Sequence, residues 1–225
     1  MLLLGVQGCG KSLAAKATAG GFGVPLVRLD IGTLYNKYHG ETERNLRDAL
    51  RNAELLAPCV LWIDEIEKAL STSGSDDGVS RRVLGYLLTW MAERKAPVFL
   101  VATANDVQQL PAELLRKGRF DETFFVDLPD ATTRAQIFGL HLSRRGLKAD
   151  VDLDALARAS EGFSGAEIEQ VVVASLYAAA AGGQRQPSEA QLLAEIAGTR
   201  PLSVLMAEKV AALRAWASSR AVAAD

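Results

Sequence analysis

Gly5-Val6-Gln7-Gly8-Cys9-Gly10-Lys11-Ser12 has the spacing of a loop that grips phosphate: a glycine, a four-residue gap, then Gly-Lys-Ser. Glycines let the backbone curl until successive N–H groups face phosphate oxygens, and a helix opening behind the loop adds partial positive charge. On this reading Gly8, Cys9, Gly10, Lys11, Ser12 and Leu13 cradle the phosphates of a nucleotide. Lys11 reaches the β- and γ-phosphates, and the Ser12 hydroxyl coordinates Mg²⁺. The plainer reading is a glycine-rich turn with a chance Lys-Ser. The context favours the first, because an apolar run, Leu2–Leu4, precedes the loop and a helical run, Leu13–Ala19, follows it.

A second constellation is Cys59-Val60-Leu61-Trp62-Ile63-Asp64-Glu65, an apolar strand ending in adjacent carboxylates. Side chains alternate along a strand, so the two acids can do different work. Asp64 would hold the water shell of the metal, and Glu65 would orient and polarise an attacking water. A third apolar run, Phe99–Ala104, delivers Asn105 to its end, where it could bond the γ-phosphate or the water. A loop asparagine capping a turn is an equal reading. Leu114-Leu115-Arg116-Lys117-Gly118-Arg119-Phe120-Asp121 sets two arginines three apart. Phosphoryl transfer needs cations at its transition state. Surface arginines bonded to Glu113 or Asp121 would look the same in sequence.

These residues need a scaffold that brings strand ends together. Candidate strands are Leu2–Leu4, Pro25–Leu29, Val60–Ile63, Val98–Ala102 and Thr123–Val126, separated by amphipathic helices over Glu41–Glu54 and Ser80–Glu93. Alternation of this kind predicts an α/β fold with a five-stranded, mostly parallel sheet. In such sheets ligands bind outside the carboxyl ends of the strands, where all three constellations lie. After Leu128-Pro129-Asp130 only helices are expected: Thr132–Leu142, Asp152–Ala159, Ser164–Ala181, Ser188–Ala197 and a last one over Ser203–Ser218. Ser164 with Glu167, and Ser188 with Gln191, read as capping boxes. The expected division is an α/β nucleotide-binding domain over 1–129, a helical lid over 130–198 and a C-terminal helix over 199–225. ATP is expected between the first two.

The 225 residues are 49% hydrophobic and 23% charged, with a formal charge of −2. That balance speaks against a nucleic-acid partner, which calls for a basic surplus or stripe. The longest apolar stretch, Val171–Ala181, is far short of the roughly 20 residues a membrane span needs. Two cysteines, Cys9 and Cys59, without paired spacing, suggest reduced thiols. Oxidation of Cys9 would be one way to block the phosphate loop. The chain opens directly on a sheet strand, so a piece of a longer protein is expected.

Taken in order, Gly5–Ser12, Val60–Glu65, Ala102–Asn105 and Leu114–Asp121 resemble the classical branch of the AAA ATPases, over residues 1 to roughly 198. The resemblance implies a Mg²⁺-dependent ATPase and a protein-remodelling motor that works as a ring, with a hexamer the expected size. Arg116 and Arg119 would enter the neighbouring subunit's site, although Lys117 replaces the usual proline. His141, in Ile137–His141, would touch ribose or adenine, and Gly165 and Ala166 would pack on the base. Tyr35–Glu43 resembles a first pore loop, in which Lys37, Tyr38 and His39 would contact a threaded polypeptide. His39 departs from the usual apolar residue. The stretch Ser71–Ser80 would supply a second pore loop. The strings around Asn36–Leu50, Cys59–Lys68 and Leu114–Glu122 resemble a bacterial and plastid subgroup named for a conserved chloroplast reading frame. A cytoplasmic or plastid-stromal location is expected. A regulatory ATP-binding module that recruits partners without threading is the alternative. A nucleic-acid motor is disfavoured by the charge balance and by the lack of the lid arginine of other AAA+ branches.

Overall fold

A computed structural model describes residues 1–30, 41–70, 77–116, 118–147 and 151–224. The chain forms two compact units: one of Met1–Gly5, Lys11–Val126 and Trp216–Asp225, the other of Val6–Gly10 and Asp127–Ala215.

The first unit is built on six parallel strands: β1 (Leu2–Gly5), β2 (Leu26–Asp30), β3 (Cys59–Asp64), β4 (Val98–Ala104), β5 (Thr123–Val126) and β6 (Val222–Ala223). Their order is β2-β3-β4-β1-β5-β6. Helices α1 (Lys11–Phe22), α2 (Glu41–Leu55), α3 (Ile66–Leu70) and α4 (Asp77–Glu93) connect them. Leu46, Leu50 and Ala53 of α2 are fully buried, as are Val83 and Leu87 of α4. Leu3 of β1, Val60 and Trp62 of β3 and Val101 of β4 pack with Ala15 and Ala19 of α1. Burying one such leucine contributes roughly 1.5–3 kcal/mol, so the sheet's central strands are the firmest frame available to a site.

The second unit holds α5 (Ala131–Arg144), α6 (Leu153–Ala159), α7 (Gly165–Ala181), α8 (Glu189–Gly198), α9 (Leu202–Leu205) and most of α10 (Ala207–Ala217). Phe138, Leu156, Ile168, Val172 and Leu192 are fully buried together. Both capping boxes form: Ser164 accepts from the Glu167 N–H and Ser188 from that of Gln191, and each partner's side chain returns the bond. Glu167 does a second job, because its other oxygen accepts the Leu202 N–H at 2.6 Å. Arg134 is buried, yet its guanidinium donates to the Ala157 carbonyl at 2.9 and 3.0 Å and to the Pro129 carbonyl at 2.8 Å. A buried cation is tolerated there because its donors are met.

Two expectations are corrected. The sheet has six strands rather than five, because Val222 and Ala223 pair with Phe124 and Phe125 of β5. Two residues carry no readable periodicity; only the edge of an existing sheet makes them a strand. The last helix is interrupted at Met206, whose φ of −122° ends α9. Val210, Leu213 and Ala217 are buried, but Met206 is 38% exposed.

Candidate active site

Parallel pairing decides which residues meet. Leu4 of β1 pairs with Ala104 of β4, and Ile63 of β3 with Ala102 of β4. The strand leading into the glycine loop, the strand ending in Asp64 and the strand ending before Asn105 therefore leave the sheet at the same edge, with β4 in the middle.

At that edge Asp64 is the last residue of β3. Glu65 follows with φ +49°, a left-handed conformation that a non-glycine residue holds only when its surroundings impose it. Thr103 of β4 does so. Its hydroxyl accepts the Glu65 N–H at 3.1 Å and donates to Asp64 Oδ1 at 2.8 Å. The different directions of the two acids thus come from this backbone turn as well as from strand alternation. Glu65 Oε1 accepts from Asn105 Nδ2 at 3.1 Å, and Glu65 Oε2 accepts from Lys68 Nζ at 2.5 Å. The Glu65 carboxylate raises the affinity of Lys68 for its proton. Asp64 Oδ2 accepts from Arg28 Nη2 at 2.9 Å, and that guanidinium lies over Trp62. Arg28 is 54% exposed, so the pair contributes at most about 1 kcal/mol and does not bar Asp64 from a cation's water shell. Thr103, Lys68, Arg28 and Glu67 were not singled out from sequence. The signal for Thr103 was present: a lone hydroxyl inside an apolar strand must find a partner.

Lys11 opens α1 and is only 6% exposed. Its Nζ donates to the Gly5 carbonyl at 2.9 Å, which folds the ammonium back toward the head of the loop. A Cβ on Gly5 would lie 2.0 Å from the Val126 carbonyl oxygen, so this glycine serves close packing between β1 and β5. Gly8 and Gly10 hold φ of +82° and +96°, which a side chain rarely permits. Ser12 is half-buried, and Leu13 is 56% exposed.

In the second unit the Gly8 carbonyl accepts the Ala166 N–H at 3.0 Å, and Gly165 lies beside it. Within this unit Gly8 and the start of α7 are therefore in direct contact. His141 of α5 has Nδ1 3.2 Å from Arg145 Nη1 and 3.5 Å from Glu169 Oε1. Burial pulls its pKa below the ordinary value, and Glu169 opposes that shift.

The two arginines differ. Arg119 Nη1 donates to the Leu88 carbonyl of α4 at 2.8 Å. Arg116 is exposed and makes no ion pair among the described residues. Lys37, Tyr38 and His39 lie outside the described residues, as does most of Ser71–Ser80. Cys9 and Cys59 form no disulfide among the described residues, and the Cys59 thiol donates to the Ala53 carbonyl at 3.2 Å. Among the described residues no helix is long and apolar enough to cross a membrane.

The residues present suit a phosphate and Mg²⁺. Two left-handed glycines, a helix start and a buried ammonium are the elements of a phosphate cradle. Ser12 and Asp64 offer hard oxygen donors of the kind Mg²⁺ takes beside phosphate and water. No group of three His, Cys, Asp or Glu is assembled among the described residues.

Fold and motif order together define a class, and comparison with known proteins agrees. Residues 1–128 match the family model of the ATPase family associated with various cellular activities (AAA), and residues 150–194 match that of the AAA+ lid domain. The chain belongs to the AAA family of ATPases. It is 47% identical over 221 residues to the AAA domain-containing protein ycf46 of Pyropia yezoensis, covering 96% of this chain and 45% of that protein. It is 44% identical to the ycf46 protein of Trieres chinensis, covering 97% of this chain and 45% of that protein. The chain thus spans a little under half the length of these relatives. The cell division cycle protein 48 homolog of Archaeoglobus fulgidus is 36% identical over 76% of this chain and 24% of its own length.

Proposed function

We propose that this chain hydrolyses ATP with Mg²⁺ and, as one subunit of a ring, converts hydrolysis into mechanical work on a protein substrate. The observation that carries the reading is the bond from Asn105 Nδ2 to Glu65 Oε1 at the common strand edge. It joins a carboxylate suited to orienting water to an amide suited to the γ-phosphate, beside Asp64 and downstream of the Lys11 loop. In this reading backbone N–H groups of Gly8 through Leu13 hold the phosphates, and Lys11 neutralises charge on the β- and γ-oxygens. Ser12 and Asp64 would hold Mg²⁺, which when bound would supply positive charge to the phosphates. Glu65 orients the water that attacks the γ-phosphorus as the bond to ADP breaks. Arg116, exposed and without an ion pair among the described residues, is the better candidate of the two arginines to serve a neighbouring subunit. Arg119 would first have to leave the Leu88 carbonyl. His141, Gly165 and Ala166 are proposed nucleotide contacts of the helical unit. Lys37, Tyr38 and His39 are the proposed grip on substrate.

Glu65→Gln keeps size and hydrogen bonding but removes the carboxylate. It should bind ATP at parental affinity while turnover drops by roughly 10²-fold or more. ATP turnover at the parental rate by that variant would refute the role given to Glu65.

A further inference from the structure

Asn105 stands one residue past the end of β4, where the sheet no longer supplies a partner for its backbone N–H. That partner is Glu67 of α3. Its Oε1 accepts the Asn105 N–H at 2.9 Å across the sheet edge, while Glu65 of the preceding turn accepts from the Asn105 side-chain amide. Two carboxylates spaced i, i+2 thus grip one asparagine, one at the backbone and one at the side chain. Glu67 is 3% exposed, and its Oε2 is buried without a hydrogen-bond partner among the described residues. A bare buried carboxyl oxygen is costly, so the bond that Glu67 makes to the Asn105 N–H is the contact that offsets its burial. On the far side of Asn105, Asp106 caps the following turn through the Gln108 N–H at 3.0 Å. Asn105 is therefore pinned between a strand end and a capped turn, and Glu67 is the contact that fixes its height at the edge.

We propose that Glu67 is a positioning residue for Asn105, holding its backbone so that the side-chain amide faces Glu65 and the γ-phosphate. The proposal rests on the reading of Asn105 given above. Burial also raises the affinity of Glu67 for a proton. A neutral acceptor in its place is then expected to serve as well as the acid.

The test is a double-mutant cycle on the full chain, with kcat, KM for ATP and ATP affinity measured. Glu67→Gln keeps the acceptor and should hold kcat within about threefold of the parent. Glu67→Met keeps the length without the acceptor and should lower kcat by roughly 10- to 100-fold with KM little changed. Asn105→Ala should lower kcat by about 10²-fold, and adding Glu67→Met to it should lower kcat little further. Parental kcat in Glu67→Met, or effects of the two that multiply, would overturn the proposal while leaving the role of Asn105 intact. Parental kcat in Asn105→Ala would instead overturn the reading of Asn105, and this proposal with it. Should Glu67→Met fail to fold, Glu67→Gln decides. A loss in kcat of about tenfold or more at unchanged ATP affinity would show that charge, not the backbone bond, is what Glu67 supplies.

Discussion

Glu65 and His141 show how far neighbours decide what a residue can do. Glu65 is turned out of the strand by a left-handed backbone that Thr103 stabilises, and its carboxylate meets Asn105 on one oxygen and Lys68 on the other. The type and place of Glu65 were legible in the sequence. Its partners were not, because Thr103, Asn105 and Lys68 reach it through strand pairing and a helical turn. His141 makes the same point. Arg145 can only donate, so a neutral His141 accepts at Nδ1 and carries its proton on Nε2. Arg144, Arg145 and Glu169 are the charges that face it, and burial is the largest influence on its pKa. With the folded pKa below the ordinary 6.5, the folded state binds fewer protons than the unfolded chain once the pH falls through that value. Stability present above about pH 6.5 is then lost on acidification. The melting temperature should fall as the pH is lowered from about 7 through 6.5 and below, and less so in His141→Gln. Glu169 and Asp130, whose pKa values are held down by hydrogen bonds, act below their ordinary 4.5 and 3.8, outside that window.

At the scale of elements, local chemistry was read well where it was self-contained. The starts of α7 and α8 follow from Ser164 with Glu167 and Ser188 with Gln191, because a capping box lies within four consecutive residues. Ser188 is exposed, whereas α8 buries Leu192 and Ile196. Ser188→Ala should therefore act through the cap alone. It should cost about 1 kcal/mol, seen as a fall of roughly 2–4 °C in the melting temperature with ATP turnover unchanged. An unchanged melting temperature would mean that α8 is set by its packing and not by its cap. The short elements were illegible for a corresponding reason. Helix α3 has five residues and β6 has two, too few for a period to show.

For the whole molecule, the proposed sharing of a site between subunits makes a prediction of its own. Arg116→Ala should abolish turnover while leaving the melting temperature unchanged, because Arg116 is exposed and holds no ion pair among the described residues. Mixing Arg116→Ala subunits with Glu65→Gln subunits should restore part of the turnover. Some interfaces would then join an intact Glu65 to an intact Arg116. No recovery in mixed assemblies shown to exchange subunits would count against a shared site.

The sequence alone determined the chemistry available: a loop that suits phosphate, two adjacent carboxylates, an asparagine, two arginines, and the α/β-then-helical order of elements. Each is encoded by residue type and near-neighbour spacing, which the chain carries locally. Tertiary structure alone decided the pairings. The order β3-β4-β1 sets Asn105 beside Glu65, Glu67 against the Asn105 backbone N–H, and Thr103 behind Glu65. It also separates Arg119, bonded to Leu88, from Arg116, which is exposed. These partners lie about 30 to 40 residues apart in sequence, as in Asn105 with Glu67 at a separation of 38 and Arg119 with Leu88 at 31. No periodicity or motif spans such a gap, and only the packing of parallel strands closes it.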